Sequence, residues 1–396
     1  MDSLPRDQIL EIFSWLPAKS INRFKSSCKL FSEISTKSFF VHKQSQNSLL
    51  KVDSGFLLQP DSWQRFSDMV ELYPLLPSDR NSSGVPQNSL QFLANTSRIL
   101  ASSNGLLLCR STIMKQINLV VPELFLCNPV TQSWLAIPTP ESIRKKPYVD
   151  VHVVFDCNHD CLALFSLITD EWSDSGKYEC RIYSQKEGIW KRTTGILNAG
   201  ARSIKFEMHV FHNGNLHFVS DCYPYLAKGT TYYKPYIVSF NIKNGESRIL
   251  RMPKEAVRGS QDSSCKFGIF KWGRTTIEQY HQTSICLVRL RKSMFTIWVL
   301  TNYNSVLWTR VLKIRVRAMG VKEKNSIIAG FIVMNGDSLV FATEKKIYRY
   351  GLMGESRWKI EQVCDHGCGS SVYFKSYAST LRPCGNGATA LPYAGV

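Results

Sequence analysis

Along residues 4–17, LPRDQILEIFSWLP, apolar side chains recur at helical spacing. Ile9, Leu10, Ile12, Phe13 and Leu16 fall within an arc of roughly 160° at 100° per residue, while Asp7, Gln8, Glu11 and Ser14 fill the other side. Trp15 lies outside the apolar arc. Pro5 suits a first helical turn, where its missing N–H costs nothing, and Asp7 complements the positive helix end. Pro17 ends the helix by pushing residue 16 out of the α region. A second helical pattern, Ile21, Phe24, Cys28, Phe31 and Ile34, breaks near Ser26 and Ser27. The spacing predicts a bundle of three short helices over residues 2–41, with HKQSQNSLL at 42–50 as a polar connector. So small a bundle buries too little surface to fold alone. Its out-of-arc aromatic predicts a core completed against something else, either a partner or the rest of the chain.

From about residue 51 the helical period gives way to short β-rich runs. Asn-Gly, the strongest short hairpin signal, occurs in SSNGLLLC (102–109), HNGNLHFV (212–219) and MNGDSLVF (334–341). A tryptophan recurs late in each unit, at Trp134, Trp190, Trp308 and Trp358. With Arg248 standing in for a fifth, the spacings are 56, 58, 60 and 50 residues. Units of that length with four short strands are what a β-propeller blade requires. Four to five such units are visible, and segments 51–100 and 370–382 are expected to supply a closing blade. A pair of stacked β-sheets is the competing architecture. Residues 77–90 are expected as loop, and 383–396 lack a period.

Composition narrows this picture without redirecting it. Hydrophobic content of 44% and aromatic content of 12% are those of a folded chain. The longest apolar runs, such as IIAGFIVM at 327–334, fall well short of the ~20 residues that span a bilayer. The first residues, MDSLPRD, lack the features of a secretory signal, so the expectation is an intracellular protein of the cytoplasm and/or nucleus, without membrane association. In that compartment the 12 scattered cysteines are expected as buried thiols rather than disulfides. The net charge is +18, and residues 265–360, with 17 basic against 5 acidic side chains, carry +12 of it. Within that segment Arg315 and Arg317 alternate with Ile314 and Val316 as on a strand with one charged face. Such a strand fits an exposed sheet edge guarded by charge, or a docking surface for an acidic target. Nucleic acid is not the expected partner.

Two Cys-x-His-x-Cys stretches, at 157–161 and 364–368, suggest a metal, but each offers only three of the four ligands that zinc takes. They are read as turns beside buried cysteines, with no metal or cofactor expected. The Asn213-Gly214 turn places His212 and His217 on one hairpin face, for which packing is the expected role. The phosphate-binding, dinucleotide, nucleophile-elbow and zinc-protease motifs are absent from the sequence, and no catalytic residues are expected.

Residues 4–40 resemble the F-box through Leu4, Pro5, Ile9, Leu10, Ile12, Phe13, Leu16, Pro17, Lys19, Ser20, Arg23, Phe24, Lys25, Cys28 and Lys29, with Phe31 where that family usually has Trp. SSNGLLLC, LCNPVTQSWLAIP, HNGNLHF and VCDHG follow in the order seen in the F-box-associated, kelch-like region of plant F-box proteins. The resemblance implies an α+β multidomain chain: a three-helix F-box at 1–45, a linker with first β elements at 46–100, an all-β, kelch-like propeller at 101–382 and a tail at 383–396. It implies a non-catalytic substrate adaptor of a Skp–cullin–F-box ubiquitin ligase, joined by a Skp-type protein to cullin and RING subunits and recruiting a protein substrate. A scaffold or inhibitor, or a small-molecule sensor, is the alternative. Leu4, Pro5, Ile9, Phe13, Trp15, Leu16, Pro17 and Phe31 are the side chains expected to anchor the adaptor. Leu4, Pro5 and Pro17 lead that set, whereas Ile12 and Phe24 suit an internal position equally well.

Overall fold

The computed structural model describes residues 5–50, 55–60, 71–74, 97–111, 124–138, 151–157, 162–169, 176–184, 187–223, 226–260, 262, 264–273, 283–323, 327–385 and 389–390. Residues 5–50 form α1 (Arg6–Ser14), α2 (Ala18–Ser27), α3 (Lys29–Thr36) and α4 (Ser38–Leu50). Pro5 and Pro17 are the N-cap residues of α1 and α2, and extended Cys28 separates α2 from α3. The bundle thus has four helices, not three, and residues 42–50 are helix rather than connector. That stretch looks like a linker because the side chains it buries are polar. Gln44, Ser45 and Asn47 are buried and hydrogen-bonded, so no apolar period marks the fourth helix.

The rest of the described chain is antiparallel sheet arranged as a propeller. β1 (Gly55–Pro60) and β2 (Glu71–Pro74) precede the first blade, which is β3 (Ser97–Ser103), β4 (Leu106–Ser111), β5 (Leu124–Asn128) and β6 (Ser133–Ile137). The second is β7 (Val151–Cys157), β8 (Leu162–Thr169), β9 (Lys177–Ser184) and β10 (Ile189–Asn198). The third is β11 (Ile204–His212), β12 (Asn215–Ser220), β13 (Ile237–Asn241) and β14 (Ser247–Leu250). A one-turn helix, α5 (Lys254–Val257), leads to the fourth: β15 (Lys266–Trp272), β16 (Ser284–Arg291), β17 (Met294–Asn302) and β18 (Leu307–Arg315). The fifth is β19 (Gly330–Met334), β20 (Ser338–Ala342), β21 (Lys346–Gly351) and β22 (Ile360–Asp365). These five blades are each built from consecutive strands. A three-stranded sheet then closes the circle: β23 (Val372–Tyr377) pairs with β1, with Leu57 opposite Lys375, and β1 pairs with β2. The first strands of the blades and β23 meet their neighbours in a closed ring, β3–β7–β11–β15–β19–β23. Joining early and late strands in one sheet removes the open edges a linear array would expose. A two-residue strand, β24 (Thr389–Ala390), extends the first blade beyond β6.

The Asn-Gly pairs at 104–105, 213–214 and 335–336 are hairpin turns from an innermost strand to its neighbour. Asn104-Gly105, Asn213-Gly214 and Asn335-Gly336 have positive φ at both residues, as a two-residue turn of matching twist demands. Trp190 and Trp308 sit on outermost strands, Trp134 on the fourth strand of the first blade, and Trp358 just precedes the fourth strand of the fifth. Two of the indoles bridge blades: Trp190 donates to the Pro138 carbonyl at 2.6 Å and Trp308 to the Arg251 carbonyl at 3.0 Å. At Trp190 and Trp308 the tryptophan period therefore marks joints between adjacent blades.

The helical bundle rests on the face of the propeller where the Asn-Gly turns lie. The Ser45 hydroxyl donates to Asn104 Oδ1 at 2.9 Å, and Gln44 Oε1 accepts from the Leu381 N–H at 3.0 Å. Ala18, Ile21, Ile34 and Phe40 share one apolar core with Leu57, Ile99, Leu107, Phe125, Tyr377 and Leu381. Gly105 is needed at the centre of this contact. Its φ is +80°, and a Cβ there would stand 2.0 Å from Thr380 Oγ1. Among the described residues no helix is long and apolar enough to cross a membrane.

Candidate adaptor-binding surface of the helical bundle

The apolar side chains of α1 divide into two groups. Ile9, Leu10, Phe13 and Leu16 are half-buried, and Leu10, Phe13 and Leu16 pack on the core shared with the propeller. Phe13 stacks on Phe31 at 3.9 Å between centroids, and Phe24 tilts against both rings at 5.3 and 5.9 Å. Phe31 thus supplies the aromatic plane expected of a Trp at that position. Trp15 is half-buried and donates its indole N–H to Glu11 Oε1 at 3.0 Å. Glu11 also pairs with Lys43 on α4, and these bonds, first Lys43 and then Trp15, hold its carboxyl below the ordinary value. The Asn47 amide donates to the Ser14 hydroxyl at 2.8 Å, so α1 is tied to α4 at two points.

Among the side chains left outward are large apolar ones. Ile12 on α1 is 53% exposed, Phe24 on α2 41% and Leu30 on α3 37%. Pro5 and Pro17 are exposed beside them in sequence, and Leu4 lies outside the described residues. Large apolar side chains are thus exposed on three successive helices. Ile12 and Phe24, equally compatible with an internal place on spacing alone, point out. Leu30 carried no signal beyond its place beside Phe31. Phe39, 63% exposed at the start of α4, is a fourth such residue.

The other sequence candidates lie on the propeller, away from this surface. β18 is the outermost strand of its sheet, and its Arg310 and Lys313 pair with Glu255 on α5 at 2.7 and 2.8 Å. Those pairs, first Lys313, lower the Glu255 carboxyl. The strand expected to carry both Arg315 and Arg317 stops at Arg315; Arg317 stands on a 3-10 turn, Val316–Met319, so the alternation breaks there. The turn forms because buried Val316 and Met319, three residues apart, both reach the core of that blade. Both arginines are exposed. His212 and His217 do share a hairpin face, 6.3 Å apart, but His217 is buried and occupied: Nε2 meets the Tyr303 hydroxyl at 2.8 Å and Nδ1 the Val210 carbonyl at 3.2 Å. Tyr303 was not legible as its partner. His366 contacts the Thr343 carbonyl through Nε2 at 2.8 Å and accepts the Cys368 N–H at Nδ1. In the other Cys-x-His-x-Cys stretch, residues 158–161 lie outside the described residues. Among the described residues no cluster of three or more His, Cys, Asp or Glu side chains could hold a metal ion.

A small helical bundle with exposed apolar side chains, seated on one face of a closed propeller, defines a two-part architecture. Residues 1–43 match the F-box domain family and residues 70–383 the F-box associated beta propeller domain family, and the chain belongs to the F-box proteins that carry that propeller. It is similar to F-box protein At5g49610 of Arabidopsis thaliana, at 24% identity over 96% of this chain and 97% of the relative. F-box protein CPR1 of the same plant is 21% identical over 87% of this chain and 79% of its own, and F-box/kelch-repeat protein At4g19930 is 20% identical over 90% and 79%. Among solved structures, a protein from Lactobacillus plantarum superposes with a TM-score of 0.44 at 10% identity, covering 81% of this chain and 99% of that one.

Proposed function

We propose that this chain is the substrate-recognition subunit of a Skp–cullin–F-box ubiquitin ligase. The bundle holds a Skp-type adaptor, which links it to cullin and RING subunits, and the propeller, kelch-like in its repeat of about 50 residues, recruits a protein target. The chain contributes no catalytic group in this reading. It raises the local concentration of target lysines near the activated ubiquitin. The proposed site of action is the cytoplasm and/or nucleus. The observation that carries the reading is the exposure of Ile12, Phe24 and Leu30 on a bundle whose other flank is already covered by the propeller.

The test is co-purification of the full chain with a co-expressed Skp-type protein. Ile12→Asp with Phe24→Asp is expected to abolish capture, and Leu4→Ala with Pro5→Ala to weaken it. Both variants should keep the β-sheet circular dichroism of the parent. Undiminished capture by the aspartate pair would sink the proposal.

A further inference from the structure

Two cysteines meet where the third and fourth blades join. β12 runs from the Asn213-Gly214 turn, on the bundle side, to the opposite face of the propeller, where β15 begins. Cys222 is the second residue after β12, and Cys265 immediately precedes β15. The Cys222 thiol donates to the Cys265 carbonyl at 2.6 Å, and the two thiols are within hydrogen-bonding reach of each other. Both belong to one apolar cluster with Val219, Ile237, Phe267 and Ile285. Cys265 is 4% exposed, whereas Cys222 is only half-buried. Each side of the contact is fastened. Buried Arg202 donates to the Asp221 carboxylate at 3.3 Å and to the carbonyls of Tyr223 and Tyr232 at 3.0 and 2.8 Å, which fixes the residues flanking Cys222. The Cys265 N–H donates to the Asp262 carbonyl at 2.8 Å, and the Asp262 carboxylate accepts from Arg291 at 3.3 Å.

The surroundings divide the pair into a nucleophile and a second thiol. A hydrogen bond from Cys265 is the first cause that brings Cys222 from 9 down to about 7; burial opposes it, Lys205 and Arg202 assist, and Asp221 opposes. Lys205 is placed for this by donating to the carbonyl of Phe267, two residues beyond Cys265, at 3.1 Å. On ionising, the Cys222 sulfur exchanges its donation to the carbonyl for acceptance from the Cys265 thiol, which that bond and burial push up. Since the thiolate is the reactive form, Cys222 reacts first. Proximity alone does not make such a pair. The sulfurs of Cys109 and Cys127 stand 4.0 Å apart, but both residues are wholly buried, and the bond to Cys109, then burial, pushes the Cys127 thiol up.

We propose that Cys222 and Cys265 are a peroxide-sensitive dithiol that closes to a disulfide across the joint between the third and fourth blades. The Cys222 thiolate attacks the hydroxyl oxygen of a hydroperoxide. The O–O bond breaks, the sulfur is oxidised to a sulfenic acid, and the reduced leaving oxygen takes up a proton and departs as water or an alcohol. Cys265 then loses its proton and attacks the Cys222 sulfur; the S–S bond forms, the S–O bond breaks, and the hydroxyl leaves with that proton as water. The positive charges of Arg289 and Arg291 favour the Cys265 thiolate at this step. The new bond ties the segment after β12, which carries Tyr223 at 68% exposure, to the start of β15. This chemistry asks nothing of the helical bundle and holds whether or not a Skp-type adaptor binds it.

The experiment is peptide mass mapping of the full chain, reduced, freed of reductant, exposed in its native state to hydrogen peroxide, and alkylated after quenching. The expected product joins the peptides of Cys222 and Cys265 with the loss of two hydrogens and reverts in dithiothreitol, while Cys109 and Cys127 are recovered alkylated. Before oxidation, iodoacetamide at neutral pH should modify Cys222 about tenfold or more faster than Cys109 or Cys127. In Cys265→Ser the reaction should stop at the sulfenic acid, read as a dimedone adduct on Cys222. In Cys222→Ser, Cys265 should stay a thiol. The parent chain decides the matter even where a serine variant fails to fold. Recovery of both residues as thiols after peroxide, preferential pairing of either with another cysteine, or oxidation of Cys222 beyond the sulfenic acid with Cys265 left free would overturn the proposal. So would a folded Cys265→Ser chain without the dimedone adduct.

Discussion

At the residue scale, His217 shows how this core handles a titratable group. Burial comes first in pushing its pKa down from 6.5 to about 4; the bond to the Val210 carbonyl opposes that shift and the neighbouring His212 adds to it. The folded state therefore holds the imidazole neutral at pH values where the unfolded chain would protonate it. With the folded pKa depressed, the contribution to stability is complete above about 6.5 and is lost as pH falls toward about 4. The loss over that window is at most about 3 kcal/mol. Urea midpoints measured between those limits should fall with pH in the parent and fall less steeply in His217→Gln. Parallel slopes would show that another group governs the acid side. The same pair shows what spacing can and cannot reveal. The Asn213-Gly214 turn made the shared face of His212 and His217 predictable, but Tyr303, 86 positions from His217 in sequence, belongs to another blade and left no local sign.

At the scale of elements, what was legible is what local chemistry dictates. The Asn-Gly turns require positive φ twice in succession, so the dipeptide announces the hairpin. The tryptophan period is structural at Trp190 and Trp308, whose indoles each reach a carbonyl at the edge of the adjacent blade. α4 was illegible for the opposite reason: its buried face is amide and hydroxyl, and its partners, Asn104 and Leu381, are remote in the chain. Arg317 was misplaced because polar alternation cannot distinguish the last residues of a strand from a 3-10 turn whose apolar residues fall three apart. The importance of α4's polar face is directly measurable. Gln44→Ala and Ser45→Ala each strip a buried group of its partner, at a cost of about 1–3 kcal/mol apiece. Amide hydrogen exchange should then accelerate across α4 and at Leu381, while the outer strands of the fourth blade keep their protection. Unaltered exchange in α4 would mean that its apolar contacts alone hold it to the propeller.

At the scale of the whole molecule, the bundle and the propeller are one folding problem. Ala18, Ile21, Ile34 and Phe40 complete their burial against Leu57, Ile99, Leu107 and Phe125, and the closing sheet begins at Gly55, a few residues after α4. A helical segment of about 45 residues deprived of that surface has too little apolar area to offset its chain entropy. The incompleteness legible in the first 40 residues is thus answered twice, by the propeller on one flank and by an outward apolar face on the other. A peptide of residues 1–50 should accordingly show little helix by circular dichroism in the absence of partners, whereas the full chain should lose its helix and sheet signals in a single coincident thermal transition. Removing the bundle by deletion would strip the first blade of its cover at Ile99 and Leu107, so a truncated propeller is expected to aggregate rather than report on target binding. A stable, helical 1–50 peptide, or two separated transitions in the full chain, would show instead that the bundle is autonomous. Adaptor binding could then move freely relative to the propeller. With a shared core, Ile12 and Phe24 keep a fixed separation from the propeller face opposite the bundle, so in the proposed receptor a target docked on that face would be held at a defined distance from the ligase.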